Sequence, residues 1–200
     1  MVATVARWVR HEAEPTKGSR FIATVVPTAD EAAAREALAA LRDEMPDATH
    51  HCSAWRIASP SIDRASDDGE PSGSAGRPIL AQLQGRDLVN VAIIVTRYYG
   101  GTKLGVGGLV RAYGSAASEA LDHAQIVPFV PMVRLQVTHG YPEGDDVERV
   151  LTRFEAVALH ADYSSDVTRD FEVAIDRLDA LTEALRDATR GRARVRRLDS

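Results

Sequence analysis

Acids, bases and glycines gather in two short runs of this chain, DDGEPSGSAGRPIL at 67–80 and VTRYYGGTKLGVGGLVRAYG at 95–114. In the first, Asp67, Asp68 and Glu70 place carboxylates within four residues. Such a group can hold Mg²⁺ or take a proton. It can also be salt-bridged to Arg77, Arg97 or Arg111, and this structural reading is the favoured one because a carboxylate beside an arginine in a turn is commonly structural. Ser72 and Ser74 have no base evident in the sequence, so no nucleophilic triad is legible and no catalytic residue is assigned. In the second run, Gly100, Gly101, Gly105, Gly107 and Gly108 leave backbone amides unobstructed where a helix should begin. A helix start carries unpaired N–H groups and a partial positive charge, so anions settle there. Arg97, Lys103 and Arg111 would add full charges. Tyr98 or Tyr99 would offer a ring for a base to stack on. If the strand before them continues, these two tyrosines lie on opposite faces.

The second run is not a nucleotide signature. A P-loop requires GxxxxGK[ST], and here Lys103 precedes the relevant glycine. From Gly105 the run reads GVGGLV, with Val110 where a dinucleotide fingerprint needs its last glycine. His50, His51 and Cys52 invite a metal reading, but no CxxC or HxxxH partner accompanies them. No metal or cofactor is assigned.

The chain has 24 Lys and Arg against 29 Asp and Glu, a net charge of −5. Residues 1–126 carry 13 basic against 15 acidic side chains and residues 127–200 carry 11 against 14, so neither half is basic. A polyanion must therefore be met by a focused patch rather than by bulk attraction. The trio Arg97, Lys103 and Arg111 is one candidate. The tail Arg190, Arg192, Arg194, Arg196 and Arg197 is another, though it reads as well as a solvated strand face. No apolar run approaches the ~20 residues that span a membrane. The N-terminus places Trp8, Arg10, His11 and Glu12 where a signal peptide needs an apolar core. One cysteine excludes an internal disulfide. Cytoplasmic residence is expected.

The elements that must position these residues follow from patterning. Thr4–Val9 and Arg20–Val26 read as strands with a turn-rich linker between them. Asp30 can cap a helix through EAAAREALAALRDEM that stops before Pro46. His51–Ile57 is a third strand, and Ala58–Gly76 a long polar loop. The short helix of RPILAQLQ would be capped by Ser72 or Ser74. Asn90–Val95 should form a central, doubly covered strand. Leu109, Ala112, Tyr113, Ala116, Ala120 and Leu121 form one stripe of a long helix. Two prolines in Val127–Pro131 mark a boundary, giving domains at 1–126 and 127–200. Beyond it the pattern restarts as strand, capped helix, two strands, helix and strand. That order, βαββαβ, is the split unit of a ferredoxin-like sandwich. The second domain has no glycine loop, no carboxylate cluster at catalytic spacing and no cysteine, and reads as an interaction module.

At the two glycine runs the chain resembles the YigZ/IMPACT family. The matching residues are Asp67-Asp68-Gly69-Glu70-Pro71-Ser72-Gly73, Ala75-Gly76 and Pro78-Ile79-Leu80. They continue as Val95-Thr96-Arg97-Tyr98, Gly100-Gly101, Lys103-Leu104-Gly105, Gly107-Gly108-Leu109 and Arg111-Ala112-Tyr113. Ser19-Arg20-Phe21, Ala48-Thr49-His50, Cys52 and Ala54 fit more weakly, and the match spans roughly residues 15–125. Ser74 stands where the family usually has threonine, Tyr99 where phenylalanine is common and Gly18 where lysine or serine is frequent. The resemblance implies an α+β protein of two domains: an N-terminal α/β sandwich like the second domain of a small-subunit ribosomal protein, and a ferredoxin-like domain similar to the last domain of elongation factor G. It implies a role near translation, through RNA, the ribosome or a translation factor. IMPACT-like members regulate translation initiation by competing for an activator of a stress-responsive kinase.

Two functions are thus expected. The first is a non-enzymatic, translation-associated binding protein with an anion-binding groove at the glycine runs. The alternative is a metal- or phosphate-dependent hydrolase or transferase, with Asp67, Asp68, Glu70 and His50 around one pocket. No feature specifies an oligomeric state.

Overall fold

The β-forming segment Arg20–Val26 and the uninterrupted apolar run that ends at Val95 dictate a sheet covered on both faces. A computed structural model describes residues 2–198. The chain divides into two units between Phe129 and Val130. In the first, the elements are β1 (Ala3–Val5), β2 (Val9–Glu12), β3 (Arg20–Pro27), α1 (Glu31–Glu44), β4 (His50–Ile57), β5 (Ile62–Ser66), α2 (Gly76–Gly85), β6 (Val91–Tyr98), α3 (Val106–Asp122) and β7 (Ile126–Pro128). Five strands form one antiparallel sheet in the order β2-β3-β6-β4-β5. The run Val91–Val95 lies at its centre, without solvent contact. One face carries Phe21, Ala23, Val25, Cys52, Ala54, Ile93 and Val95 against α2 and α3. The other carries Ile22, Trp55, Ile57, Ala92 and Ile94 against α1.

Local signals account for most element ends. Asp30 accepts the Ala33 amide at 2.8 Å and starts α1. The α3 stripe buries Leu109, Tyr113, Ala116, Ala117, Ala120 and Leu121.

Three expectations are corrected. Thr4–Val9 is not one strand: β1 pairs with β7 and β2 pairs with β3, so two different partners divide it. The segment 58–76 is not a structureless loop, because β5 forms a hairpin with β4 from Ser53↔Ser66 to Ile57↔Ile62. This strand is polar because it sits at the sheet edge with most of its residues exposed. Neither Ser72 nor Ser74 caps α2; Asp67 does so instead, as detailed below.

The second unit contains β8 (Met132–His139), α4 (Gly144–Arg153), β9 (Val157–Tyr163), β10 (Val167–Ala174), α5 (Leu178–Ala188) and β11 (Arg194–Leu198). Its antiparallel sheet has the order β11-β8-β10-β9, the arrangement of a ferredoxin-like βαββαβ unit. Val133, Leu135, Val137, Phe171 and Val173 face Val147 and Leu151 of α4 and Leu181 and Leu185 of α5. α4 has no side-chain cap; a 3₁₀ turn at Tyr141–Glu143 leads into it. Among the described residues no helix is long and apolar enough to cross a membrane.

Candidate functional site

The first glycine run follows β5 and the second links β6 to α3, so the fold brings both to one end of the sheet. Alternation along β6 decides which side chains meet. Arg97 lies on the α2/α3 face beside its register partners Phe21 and His50, while Tyr98 lies on the α1 face. Glu70 of the first run reaches across to Arg97 of the second, at 2.5 Å, and accepts the Tyr113 hydroxyl at 2.7 Å. Both members of this ion pair are sealed from solvent, their side chains 5% and 4% exposed. Arg97 Nη2 also donates to Ser19 Oγ at 3.2 Å, and its guanidinium lies over the rings of Phe21 and Tyr99. Ser19 Oγ accepts the Gly100 amide as well, at 3.1 Å. The chain crosses itself so tightly here that a Cβ on Gly100 would lie 2.0 Å from the Gly18 carbonyl carbon. That contact explains why this position must be glycine.

The carboxylates of the first run are spent on structure. Asp67 Oδ1 accepts the amides of Ala75 and Gly76 at 3.0 and 2.8 Å, and Oδ2 accepts that of Gly73 at 2.7 Å. It therefore folds its own loop and caps α2 from nine residues upstream. Burial pushes its carboxyl pKa up, but the three amides outweigh burial and hold it below the ordinary value. Asp68 pairs with Arg42 of α1 at 2.6 Å and accepts the His51 amide at 2.6 Å. Its carbonyl accepts the His50 Nδ1 proton at 2.7 Å. The Cys52 thiol donates to the Asp67 carbonyl at 3.0 Å, and burial raises its pKa to about 12. Ser74 Oγ donates to the Pro71 carbonyl at 2.6 Å, and Ser72 is exposed. His50 does lie with these acids, its Nε2 3.9 Å from Glu70, but the expected reactive pocket is corrected. Each acid already has a cation or amide partner, and among the described residues no three His, Cys, Asp or Glu side chains could hold a metal ion.

The expected basic trio is corrected too. Arg97 is buried and neutralised. Lys103 is exposed and makes no ion pair among the described residues. It lines a hollow of about 330 Å³ with Glu70, Pro71, Arg97, Tyr99, Leu104 and Gly105, so Arg97 and Lys103 do share one site, with the Arg97 charge already matched by Glu70. Arg111 belongs to a second hollow of about 320 Å³, with Lys17, Glu14 and Glu119, on the other side of Leu104. The stacking ring is Tyr99, 46% exposed, and not Tyr98, which packs with the α1-side core beneath the Arg20 guanidinium. Alternation from Val91 carries the signal for this assignment.

Gly105, at φ +73, turns the chain into α3 without any side-chain cap. The first-turn amides of Val106 and Gly107 consequently face outward, as the opening N–H groups of a helix must. The amides of Gly101–Gly105 have no hydrogen-bond partner among the described residues. Gly101, Gly105 and Gly107 are exposed, and Gly108 packs against Leu104. In the basic tail Arg192 pairs with Glu143 and Arg196 donates to Gln136, while Arg194 and Arg197 are exposed on β11.

Comparison with known proteins agrees with this division of the chain. The Impact N-terminal domain matches residues 17–121, and a domain of unknown function (DUF1949) matches 137–192. The IMPACT family member YigZ of Escherichia coli is 35% identical over 181 residues, 89% of each chain. YvyE of Bacillus subtilis, also an IMPACT family member, is 35% identical over 179 residues, 89% of this chain and 82% of its own. A crystal structure of a hypothetical protein, 32% identical, superposes with a TM-score of 0.78 over 100% of this chain and 98% of that one. By sequence over most of its length and by domain content, the chain belongs to the IMPACT family.

Proposed function

We propose that this protein is a cytoplasmic, translation-associated binding protein that takes an RNA phosphate, free or ribosomal, at the start of α3. One observation carries the reading: Lys103 stands exposed and unpaired in the hollow where the uncapped first turn of α3 opens. A phosphate there meets backbone donors, the helix dipole and a mobile ammonium group together. Tyr99 forms a wall of the same hollow and gives the adjoining base a stacking surface. With a net charge of −5, attraction has to be local, and a single uncompensated lysine beside open amides is local. The association with translation rests on family membership. The hydrolase or transferase reading has no comparable support, because its acids are committed to other partners.

The test is fluorescence anisotropy of a labelled RNA oligonucleotide across a salt series. Affinity should fall as salt rises, and Lys103→Ala should weaken binding while reducing the salt slope by about one. Tyr99→Ala should weaken binding with the slope unchanged. Salt-independent affinity, or a Lys103→Ala variant that binds like the parent, refutes the proposal.

A further inference from the structure

Exposed sheet edges invite pairing, and proteins usually guard them with charge. Three of the four edges of the two larger sheets follow this rule. β2 carries Arg10 and Glu12, β5 carries Asp63 and Arg64, and β11 carries Arg194, Arg196 and Arg197. The fourth, β9, is the least guarded, its one formally charged side chain being Asp162. Its sequence VALHADY contains neither lysine nor arginine, and all seven residues are exposed. Leu159 and Tyr163 are 47% and 61% exposed, beside a hollow of about 340 Å³ that reaches Leu151 and Phe171.

We infer that β9 pairs antiparallel with β9 of a second copy of this chain. The argument is self-complementarity. Consider a two-fold axis through Ala161, so that this residue meets its own counterpart. Residue pairs then sum to a constant, and partners directly opposite share a face. Leu159 falls opposite Tyr163 of the other copy, twice, on the face that Ala161 shares with Arg169 and α4. His160 falls opposite Asp162, twice, on the open face shared with Asp170 and Thr168. Apolar therefore meets apolar, imidazole meets carboxylate, and the smallest side chain sits on the axis where the backbones approach. No like-charged pair arises. Neither His160 nor Asp162 has an ion-pair partner among the described residues. A β-bulge leaves Leu159 without a β10 partner, whereas His160–Tyr163 run in a regular ladder toward Val167, so the free edge is straight where the axis falls.

Sedimentation equilibrium of the full chain over a concentration series up to the millimolar range tests the inference. A reversible monomer–dimer equilibrium is expected. Leu159→Lys should abolish it, with circular dichroism confirming an intact fold. His160→Asp sets carboxylates against carboxylates at two symmetric positions and should weaken dimerisation about 30-fold. The double variant His160→Asp/Asp162→His should restore it. A monomer at every concentration, a dimer indifferent to Leu159→Lys or to His160→Asp, or a double variant that fails to recover, each overturns the pairing.

Discussion

Replacing Asp67 by Asn keeps the shape of the side chain while removing its charge and one acceptor. Oδ1 of Asp67 serves two amides, Ala75 and Gly76, and Oδ2 serves Gly73. An Asn carbonyl can keep the first pair. Its NH₂ group then faces the Gly73 N–H, donor against donor. Two charge-assisted bonds become neutral ones, losing roughly 0.5–1 kcal/mol each, and one amide is left unsatisfied at about 1–2 kcal/mol. The expected cost is about 3 kcal/mol, near 10 °C in melting temperature for a unit of this size. Both tryptophans, Trp8 and Trp55, lie in the first unit, so tryptophan emission, excited selectively over tyrosine, reports that unit alone during urea unfolding.

The pH dependence supplies a second handle. Because the folded carboxyl is held below its ordinary value of 3.8, the folded state binds fewer protons than the unfolded one. The stability that Asp67 contributes is therefore complete above that value and is lost as pH falls through the lowered one. The gap between parent and Asp67→Asn should be widest near neutrality and narrow below pH 3.8. A variant within about 0.5 kcal/mol of the parent at neutral pH, the range of an ordinary surface substitution, would refute the claim that this acid organises the loop.

Two further outcomes follow from the same cluster. Glu70→Gln leaves the Arg97 guanidinium buried without its counter-charge and should cost about 3 kcal/mol in urea unfolding, as broken buried pairs do; the double change Glu70→Leu/Arg97→Met should recover much of that loss, and an additive loss instead would contradict the pairing. Cys52, buried with its pKa raised to about 12, should resist iodoacetamide at pH 8 in the folded protein and react only on unfolding; fast alkylation under native conditions, followed by mass spectrometry, would show the thiol to be open.

Much of the fold was legible because the signals were local. The Asp30 cap, the Pro46 stop, the β-forming residues of Arg20–Val26 and the α3 stripe each act within a few residues, and the second unit was readable for the same reason. What escaped was non-local. β5 is polar and exposed, and exists as a strand only through its backbone ladder with β4. Its pattern could not differ from that of a loop. Asp67 caps α2 across an intervening turn, so a search for the residue just before the helix finds Ser72 and Ser74 and misses the acid. Arg97 shows the limit most clearly. A residue of its type beside a glycine loop suggests a surface contact, but one position further from Tyr98 along β6 the alternation turns it into the core, where Glu70 waits.

The two glycine runs therefore divide their labour in a way that composition conceals. Gly100 and Gly76 let backbones touch, the first against Gly18 and the second against Ser66. Asp67, Glu70 and Arg97 lock that crossing with hydrogen bonds whose partners are all internal. Apart from Arg97 Nε, which is buried without a hydrogen-bond partner among the described residues, the polar groups of this frame are paired internally and leave little for a ligand to engage. It is the frame that holds Gly105 and the α3 start in place. The groups left over are those the frame does not consume: the amides after Gly100, the ammonium of Lys103 and the ring of Tyr99. The amides and the ammonium make no contact with the core, and the Tyr99 ring touches it only through the Arg97 guanidinium, 5.4 Å from its centroid. Each can therefore be altered at a cost small beside that of breaking the frame. Mutations in the runs should accordingly sort into two classes, those that unfold the first unit and those that silence binding at constant stability.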